Sequence, residues 1–264
     1  MTLALLAMLA TLATPPADPA PLAPQGGWTL DHIGGYCAVS RSYGARAPTL
    51  ILRQRLDGRR VDIALSGAGR SPKEDARVPG HMTSLPSGRQ FDGTLRPVAN
   101  PNGPPIIEIS TGDDPLADFD AMSALTVDIG QPTALRFAID QQVTAQTLLR
   151  DCHVALVRSW GVDPAHFSPL GASKVGARFF GASTYPPEAV KKREEGRVNI
   201  LIEIAPSGRV DACYVVESSH SDSLDQATCD IARTKVRFTP AKDDAGQPTA
   251  TWTVMPMRWV LPDR

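Results

Sequence analysis

The stretch VNILIEIAPSGRV, residues 198–210, decides the fold of the C-terminal part of the chain. Every second residue from Val198 to Ile204 is a β-branched aliphatic residue, and Asn199 and Glu203 are among the residues between them. A period of two indicates a β-strand with one buried face. The Pro-Ser-Gly sequence that follows predicts a turn, with Gly208 available for a positive φ.

Further elements lie on both sides of this strand and turn. A short helix precedes them, because Pro is tolerated in the first turn of a helix, where amide hydrogens have no partner. Asp222 or Ser223 is the expected cap of a second, amphipathic helix. The predicted elements are a helix over 186–194, strands over 198–204 and 209–217, a helix over 223–236 and a long strand over 249–261. This order predicts an α+β domain, a three-stranded antiparallel sheet with both helices on one face.

The first part of the chain has the pattern of an antiparallel β domain. Short strand-like runs are bounded by turn residues, as in Asp57-Gly58 and Asp92-Gly93. The predicted strands are 36–40, 49–53, 61–65, 90–95, 106–110, 125–129 and 135–139. Apolar residues then recur at helical spacing from Thr147 to Trp160. We therefore expect a mainly antiparallel β domain closed by one amphipathic helix.

Length and composition divide the chain into two domains and their connections. A chain of 264 residues exceeds the usual single domain of roughly 100–150 residues. Proline-rich and Gly/Ser-rich stretches mark the boundaries. The expected division is 1–13 signal peptide or short tether, 14–27 Pro-rich leash, 28–160 β-rich domain of unknown function, 161–174 linker and 175–264 C-terminal domain.

The apolar start of the chain indicates export. Residues 1–13 fall short of the roughly 20 residues that cross a membrane as a helix, and Thr11 and Ala13 suit a signal peptidase. Cleavage after Ala13, Ala17 or Ala20 fits this pattern. No Lys or Arg precedes the apolar run, so an uncleaved tether is the alternative. We expect a periplasmic protein, or one tethered to the inner membrane and facing the periplasm.

Cysteine usage agrees with export. The chain has four cysteines, Cys37, Cys152, Cys213 and Cys229, and none lies in a CxxC motif, which argues against a zinc or thioredoxin-type site. In an oxidising compartment these thiols allow three pairings. The domain division favours Cys37 with Cys152 and Cys213 with Cys229, and buried free thiols are the alternative. The first bridge would contribute on the order of 4 to 5 kcal/mol in the chain-entropy model.

No motif for catalysis, cofactors or nucleic acid stands out. The net charge is −1, from 27 basic and 28 acidic residues, which gives no electrostatic reason to expect nucleic acid or an anionic membrane surface as a partner. The glycine-rich run at 66–69 lacks the Lys-Ser/Thr of a phosphate loop. The five histidines are scattered and form no metal-ligand motif. We expect no enzyme activity, no cofactor and no metal.

Six short motifs follow one another in the C-terminal segment. They are Tyr185-Pro186-x-x-Ala189, Glu195-Gly196-x-Val198, Gly208-x-Val210, Ser218-Ser219, Leu224-Asp225 and Phe238-x-Pro240-Ala241. Each is common alone, but the set in this order resembles the TonB C-terminal domain family over residues 185–261. The resemblance also implies that Cys213 and Cys229 occupy apolar, core-facing positions, which supports their pairing.

The resemblance implies a binding role. In this family an extended partner peptide can add to the edge of the long last strand by backbone hydrogen bonds. The contact residues implied here are Thr251, Trp252, Thr253, Val254 and Met255. The implied partner is the N-terminal peptide of an outer-membrane transporter or another periplasmic protein, and a homodimer through the edge strand is a further expectation. The large side chains Trp252, Met255, Met257 and Trp259 have packing of the sheet face as their alternative role.

The chain departs from the energised members of the family. Those carry a full membrane-spanning helix and a long periplasmic spacer, whereas here a folded domain takes the place of the spacer. We therefore favour a periplasmic protein-binding module associated with outer-membrane transport. The alternatives are a membrane-tethered energy transducer for outer-membrane receptors, a cell-envelope scaffold, and an enzyme with its site in the first domain.

Overall fold

A computed structural model gives the structure of most of the chain. It describes residues 20–33, 36–58, 60–69, 78–98, 103–112, 114–168 and 182–261. The expected signal peptide or tether, residues 1–13, lies outside the described residues. No helix among the described residues combines the length and the apolar character needed to span a membrane.

The described residues form fourteen strands and three α-helices. In the first domain these are β1 (Gln25–Ile33), β2 (Tyr36–Ser42), β3 (Thr49–Gln54), β4 (Val61–Ser66), β5 (Val78–Leu85), β6 (Gln90–Val98), β7 (Ile106–Thr111), β8 (Ala124–Asp128), β9 (Leu135–Ala138) and α1 (Gln142–Ser159). In the second they are α2 (Pro187–Lys192), β10 (Gly196–Ile204), β11 (Val210–Glu217), α3 (Asp222–Thr234), β12 (Ala241–Lys242), β13 (Pro248–Thr249) and β14 (Thr251–Trp259). The protein is thus α+β, as expected, with a large antiparallel sheet and few helices.

The nine strands of the first domain form one antiparallel sheet that curls around its core. Their order is β1-β2-β3-β4-β7-β6-β5-β8-β9. Leu22, just before β1, forms a bridge with Phe137 of β9, so the two ends of the sheet meet. The Leu22 amide donates to the Arg136 carbonyl at 2.7 Å, and the Ala138 amide donates to the Leu22 carbonyl at 3.0 Å. This pairing gives the sheet a closed, barrel-like form.

Alternating strand residues fill the interior of this sheet. Leu50, Leu52, Ile63, Leu65 and Ile109 are almost completely buried there. Helix α1 contributes Ala145, Leu149 and Cys152 to the same core. Cys152 forms a disulfide with Cys37 of β2, with a Cα–Cα distance of 5.9 Å. The bridge therefore fastens the helix to an early strand of the sheet.

The seven strands expected in the first domain are all present, with their last residues shifted by one to three positions. Two strands escaped the sequence interpretation, β1 and β5. β1 begins at Gln25, inside the segment expected to be a leash, and contains Gly26-Gly27. β5 begins with Val78-Pro79-Gly80, which has the composition of a turn. The helix expected from Thr147 begins five residues earlier, at Gln142.

The second domain contains a three-stranded antiparallel sheet in the order β11-β10-β14. Helix α3 packs on β10 and β11, and α2 contacts α3. Ala189 of α2, Leu224 of α3 and Ile200 of β10 share one buried core, so both helices contribute to the same face. The α3 cap is Ser221, not Asp222 or Ser223; its hydroxyl accepts a hydrogen bond from the Leu224 amide at 3.4 Å. Cys213 of β11 and Cys229 of α3 form the second disulfide.

The two disulfides should contribute unequally to stability. They close loops of 115 and 16 residues. Loop-closure entropy then gives about 5 kcal/mol for the first bridge and about 3 kcal/mol for the second. We expect Cys37→Ala/Cys152→Ala to lower the free energy of unfolding more than Cys213→Ala/Cys229→Ala, as measured by urea denaturation. Equal losses, or the reverse order, would contradict this account.

Gly208 occupies a turn that has no room for a side chain. Its φ is +76°, and a Cβ there would lie 2.2 Å from the carbonyl oxygen of Phe238. Gly246 has the same φ but open space around it. We expect Gly246→Ala to cost about 1–2 kcal/mol for the left-handed backbone. Gly208→Ala should cost clearly more in thermal unfolding, and equal costs would rule out the steric explanation.

Candidate functional site

The expected contact strand, β14, lies at one side of the second sheet. β10 pairs with it over its full length, from Gly196 opposite Trp259 to Ile204 opposite Thr251. All five residues expected to bind a partner, Thr251, Trp252, Thr253, Val254 and Met255, therefore lie on one strand beside β10. The opposite side of β14 is the one on which a partner strand could add.

A segment of the same chain already occupies one position on that side. Phe167 forms a parallel bridge with Trp252. The Ser168 amide donates to the Trp252 carbonyl at 2.9 Å, and the Thr251 hydroxyl donates to the His166 carbonyl at 3.1 Å. These residues belong to the segment expected to be a linker, of which residues 169–174 lie outside the described residues. An added strand must therefore replace this contact or bind beyond it.

The bridge also shows which backbone groups of β14 face outward. Because the N–H and C=O of successive strand residues point to alternate sides, the outward carbonyl of Trp252 places Val254, Pro256 and Arg258 outward as well. Pro256 has no amide hydrogen. A proline on an exposed strand limits unspecific strand pairing. The outer side of β14 therefore offers an incomplete set of hydrogen-bonding groups.

The side chains of β14 alternate between two buried faces. Met255 and Trp259 belong to the core beneath the helices, and Met257 packs against it. Val254 belongs to a separate cluster with Tyr36, Leu56, Val157 and Leu201, against which Trp252 packs. Met255 and Trp259 therefore have the alternative role considered for the large side chains, which is to pack the face of the sheet. Among the five expected contact residues, only Trp252 is not fully buried.

The second of these clusters joins the two domains. Tyr36 comes from the first sheet, Leu56 from the turn after β3 and Val157 from α1. Leu201 and Val254 come from the second sheet. One face of the second sheet is thus covered by α2 and α3, and the other is covered in part by the first domain. The backbone edges of β14 and β11 are what remains for a guest strand.

A polar network lies beside this apolar contact. The Tyr36 hydroxyl donates to the carboxylate of Glu217, and the Asn199 amide donates to the Tyr36 hydroxyl at 3.0 Å and to Glu217. Burial, and then the hydrogen bond and charge of Glu217, raise the pKa of Tyr36 above its ordinary value of 10.0. Tyr36 is therefore a neutral donor that links β2 to β10 and β11.

Sequence reasoning missed the residues that hold the domains together. His166 to Ser168 were assigned to a linker on their composition, and Phe167 was the one large apolar residue there that could have indicated packing. The sequence placed Tyr36 at the start of a strand but indicated no contact for its side chain. Contacts between residues this far apart, such as Tyr36 and Glu217, leave no periodic signal in the sequence.

The described residues contain no cluster of three or more His, Cys, Asp or Glu side chains that could hold a metal ion. Residues 181–261 match the family model described as Gram-negative bacterial TonB protein C-terminal. The C-terminal domain is TonB-like. This type of domain is non-enzymatic and associated with outer-membrane transport. No curated protein matches the chain.

Tyr36→Phe should weaken the contact between the domains. It removes the hydroxyl that partners Asn199, which is only 4% exposed, and the Glu217 carboxylate. We expect a loss of about 1–3 kcal/mol in the free energy of unfolding, measured by urea denaturation at pH 8. Tyr214→Phe is the matched control, because the Tyr214 side chain is 57% exposed. Equal losses in the two variants would contradict the network's role.

The same variant should show a pH dependence. The pKa of Tyr36 is raised in the folded state, so the unfolded chain releases this proton at lower pH than the folded protein. The stabilisation from Tyr36 is therefore complete below about pH 10, the ordinary tyrosine value, and declines above it. We expect the stability difference between wild type and Tyr36→Phe to shrink from pH 8 to pH 11. A constant difference would be inconsistent with this sign.

Proposed function

We propose that this protein is a periplasmic protein-binding module, associated with outer-membrane transport, whose TonB-like C-terminal domain binds an extended partner segment by strand addition to β14. The supporting observation is the match of residues 181–261 to the TonB C-terminal family, combined with the position of β14 at the side of its sheet. The N-terminal segment of an outer-membrane transporter is the kind of partner that fits this family.

The position of the first domain supports binding at the rim of the sheet. Both faces of β10 and β14 carry buried side chains, so a guest peptide has no apolar face to lie on. The backbone groups of Val254 and Arg258 and the carbonyl of Pro256, on the outer side of β14, are the groups that remain. Strand addition uses such groups for affinity and the flanking pockets for specificity.

Partner binding then competes with the chain's own Phe167–Ser168 segment. Its bridge to Trp252 consists of a single strand position with two hydrogen bonds, each of which contributes about 0.5–1.5 kcal/mol net. Phe167 also packs against the rings of His153 and Trp160. A guest that forms several backbone hydrogen bonds along β14 can exceed this contribution. The linker contact is thus a competitor that a matching partner must displace.

The disulfides support a periplasmic location. Each bridge joins two cysteines of the same domain, Cys37–Cys152 in the first and Cys213–Cys229 in the second. Disulfides of this kind form and persist in oxidising compartments such as the bacterial periplasm. In this proposal the first domain supplies a second recognition surface and holds the C-terminal domain in a fixed orientation.

NMR titration of the full chain with synthetic peptides from the N-termini of outer-membrane transporters tests the proposal. We expect chemical-shift changes along Thr251–Trp259 and at Ser168, since the guest takes the place of the linker. A scrambled peptide of the same composition is the control. Shifts that are absent from β14, or that appear equally with the scrambled peptide, would refute binding by strand addition.

Ser168→Pro should increase peptide affinity, because it removes the amide hydrogen that the Trp252 carbonyl accepts. Phe167 already has an extended backbone (φ −95°, ψ 120°), which suits a residue before proline. Ser168→Ala keeps the amide and is the matched control. We expect the dissociation constant to fall by about 2- to 10-fold in the proline variant alone, measured by calorimetry. A proline variant that binds no tighter than the alanine variant would show that the linker does not compete.

A further inference from the structure

A cleft of about 440 Å³ lies between the two domains. The first domain lines it with residues of β2, β3, β4, β6 and β7, and the second with residues of β10 and β14. Five arginines reach this cleft, Arg53, Arg55, Arg96, Arg197 and Arg258. Five positive charges in one cleft repel one another, so the structure must contain groups or ligands that compensate them.

Two of the five arginines have carboxylate partners. Arg55 holds Asp62 through two side-chain nitrogens, with an Nη2–Oδ1 distance of 2.7 Å and an Nε–Oδ2 distance of 3.0 Å. Arg53 forms an ion pair with Glu108, and its guanidinium lies over the Tyr36 ring at 4.4 Å. Both pairs lie within the first domain, and their carboxylates neutralise the charges of Arg53 and Arg55.

The other three arginines form a cluster that has no carboxylate partner within the part of the chain that the structure describes. Arg197 of β10 and Arg258 of β14 are directly opposite each other in the sheet. Like charges in this position destabilise a strand pair. Arg96 of β6 faces them from the first domain, and no carboxylate of the described residues forms an ion pair with any of the three.

The charges of the cluster affect one another. Burial, and next the positive charges of Arg197 and Arg258, lower the pKa of Arg96 from its ordinary value. Glu108 and Asp62 oppose this effect only in part, since both are engaged with other arginines. Arg197 and Arg258 are exposed, so a soluble ligand can reach them. The cluster therefore has an excess of positive charge and an open approach.

We propose that Arg96, Arg197 and Arg258 bind a phosphate group in this cleft. Three guanidinium groups call for a ligand with at least two negative charges and several acceptor oxygens, which a single carboxylate does not supply. Guanidinium forks match phosphate oxygens in bidentate geometry. The ligand is either free phosphate or a phosphate carried by a lipid head group, and both present the same oxygens. The site lies between the domains and does not depend on strand addition to β14.

Thermal unfolding of the full chain in phosphate and in chloride, at equal ionic strength and pH, tests the site. We expect phosphate to raise the melting temperature by several degrees, because a ligand that binds only the folded state stabilises it. Arg258→Gln should lose at least about tenfold in phosphate affinity, since two charge-assisted hydrogen bonds are removed. Arg209→Gln, at an exposed position before β11, is the matched control and should respond as the wild type does.

A second readout separates the site from a structural role of Arg258. Without phosphate, Arg258→Gln should melt at the same temperature as the wild type or higher, because the repulsion from Arg197 is removed. Arg197→Gln should behave in the same way. A variant that only loses structural contacts would melt lower in both buffers.

Sedimentation with vesicles of phosphatidylcholine, with and without phosphatidic acid, identifies the source of the phosphate. Binding to the acidic vesicles that Arg258→Gln abolishes, without a response to inorganic phosphate, assigns a lipid head group. A rise in melting temperature with inorganic phosphate, without binding to the acidic vesicles, identifies the free phosphate ion as the ligand. The proposal is overturned if neither probe binds, if Arg258→Gln responds as the wild type does, or if an acidic peptide replaces phosphate as the only effective ligand.

Discussion

The structure depends on β10, a strand buried on both faces. Ile200, Ile202 and Ile204 face the two helices of its own domain, while Leu201 and Asn199 contact the first domain. β11 and β14 pair with its two edges, so the backbone hydrogen-bonding groups on both edges of β10 are also occupied. With the faces and sides of β10 occupied, the second sheet can interact with a partner only through its outer strands. The surfaces of the second sheet that remain open are thus the outer edges of β11 and β14 and the cleft beside β14.

Parts of this arrangement could be predicted from the sequence. The alternation over 198–204 identified β10, and the turn at Gly208 followed from its glycine. The helix carrying Cys152 was found from its period, although it begins earlier than expected. These elements are recognisable because each carries a local pattern, with a buried face at fixed spacing. The TonB-like character of the C-terminal domain was likewise recognised from its motifs and is confirmed by the family match.

Other parts could not be predicted, because they depend on contacts between distant residues. β5 contains Pro79-Gly80, which has the composition of a turn, yet it forms a strand in which Gly80 packs closely on the side chain of Leu95. Phe167 lies in a segment with linker composition, and only the fold brings it to Trp252. The arginine cluster combines residues of β6, β10 and β14, which are up to 162 positions apart in the sequence, from Arg96 to Arg258. Local sequence patterns contain no information about such contacts between distant residues.

The bridge between Phe167 and Trp252 has a consequence for selectivity. A competitor on the same chain is present at a local concentration that for short connections reaches the millimolar range, however dilute the protein is. In the proposed binding mode, this competitor lowers the apparent affinity of every guest segment for β14 by the same factor. The same tether opposes pairing of β14 with a second copy of the protein. Under that proposal the linker acts as an attached pseudo-ligand, so a guest segment must bind β14 more tightly than it would bind a free strand edge to reach the same occupancy.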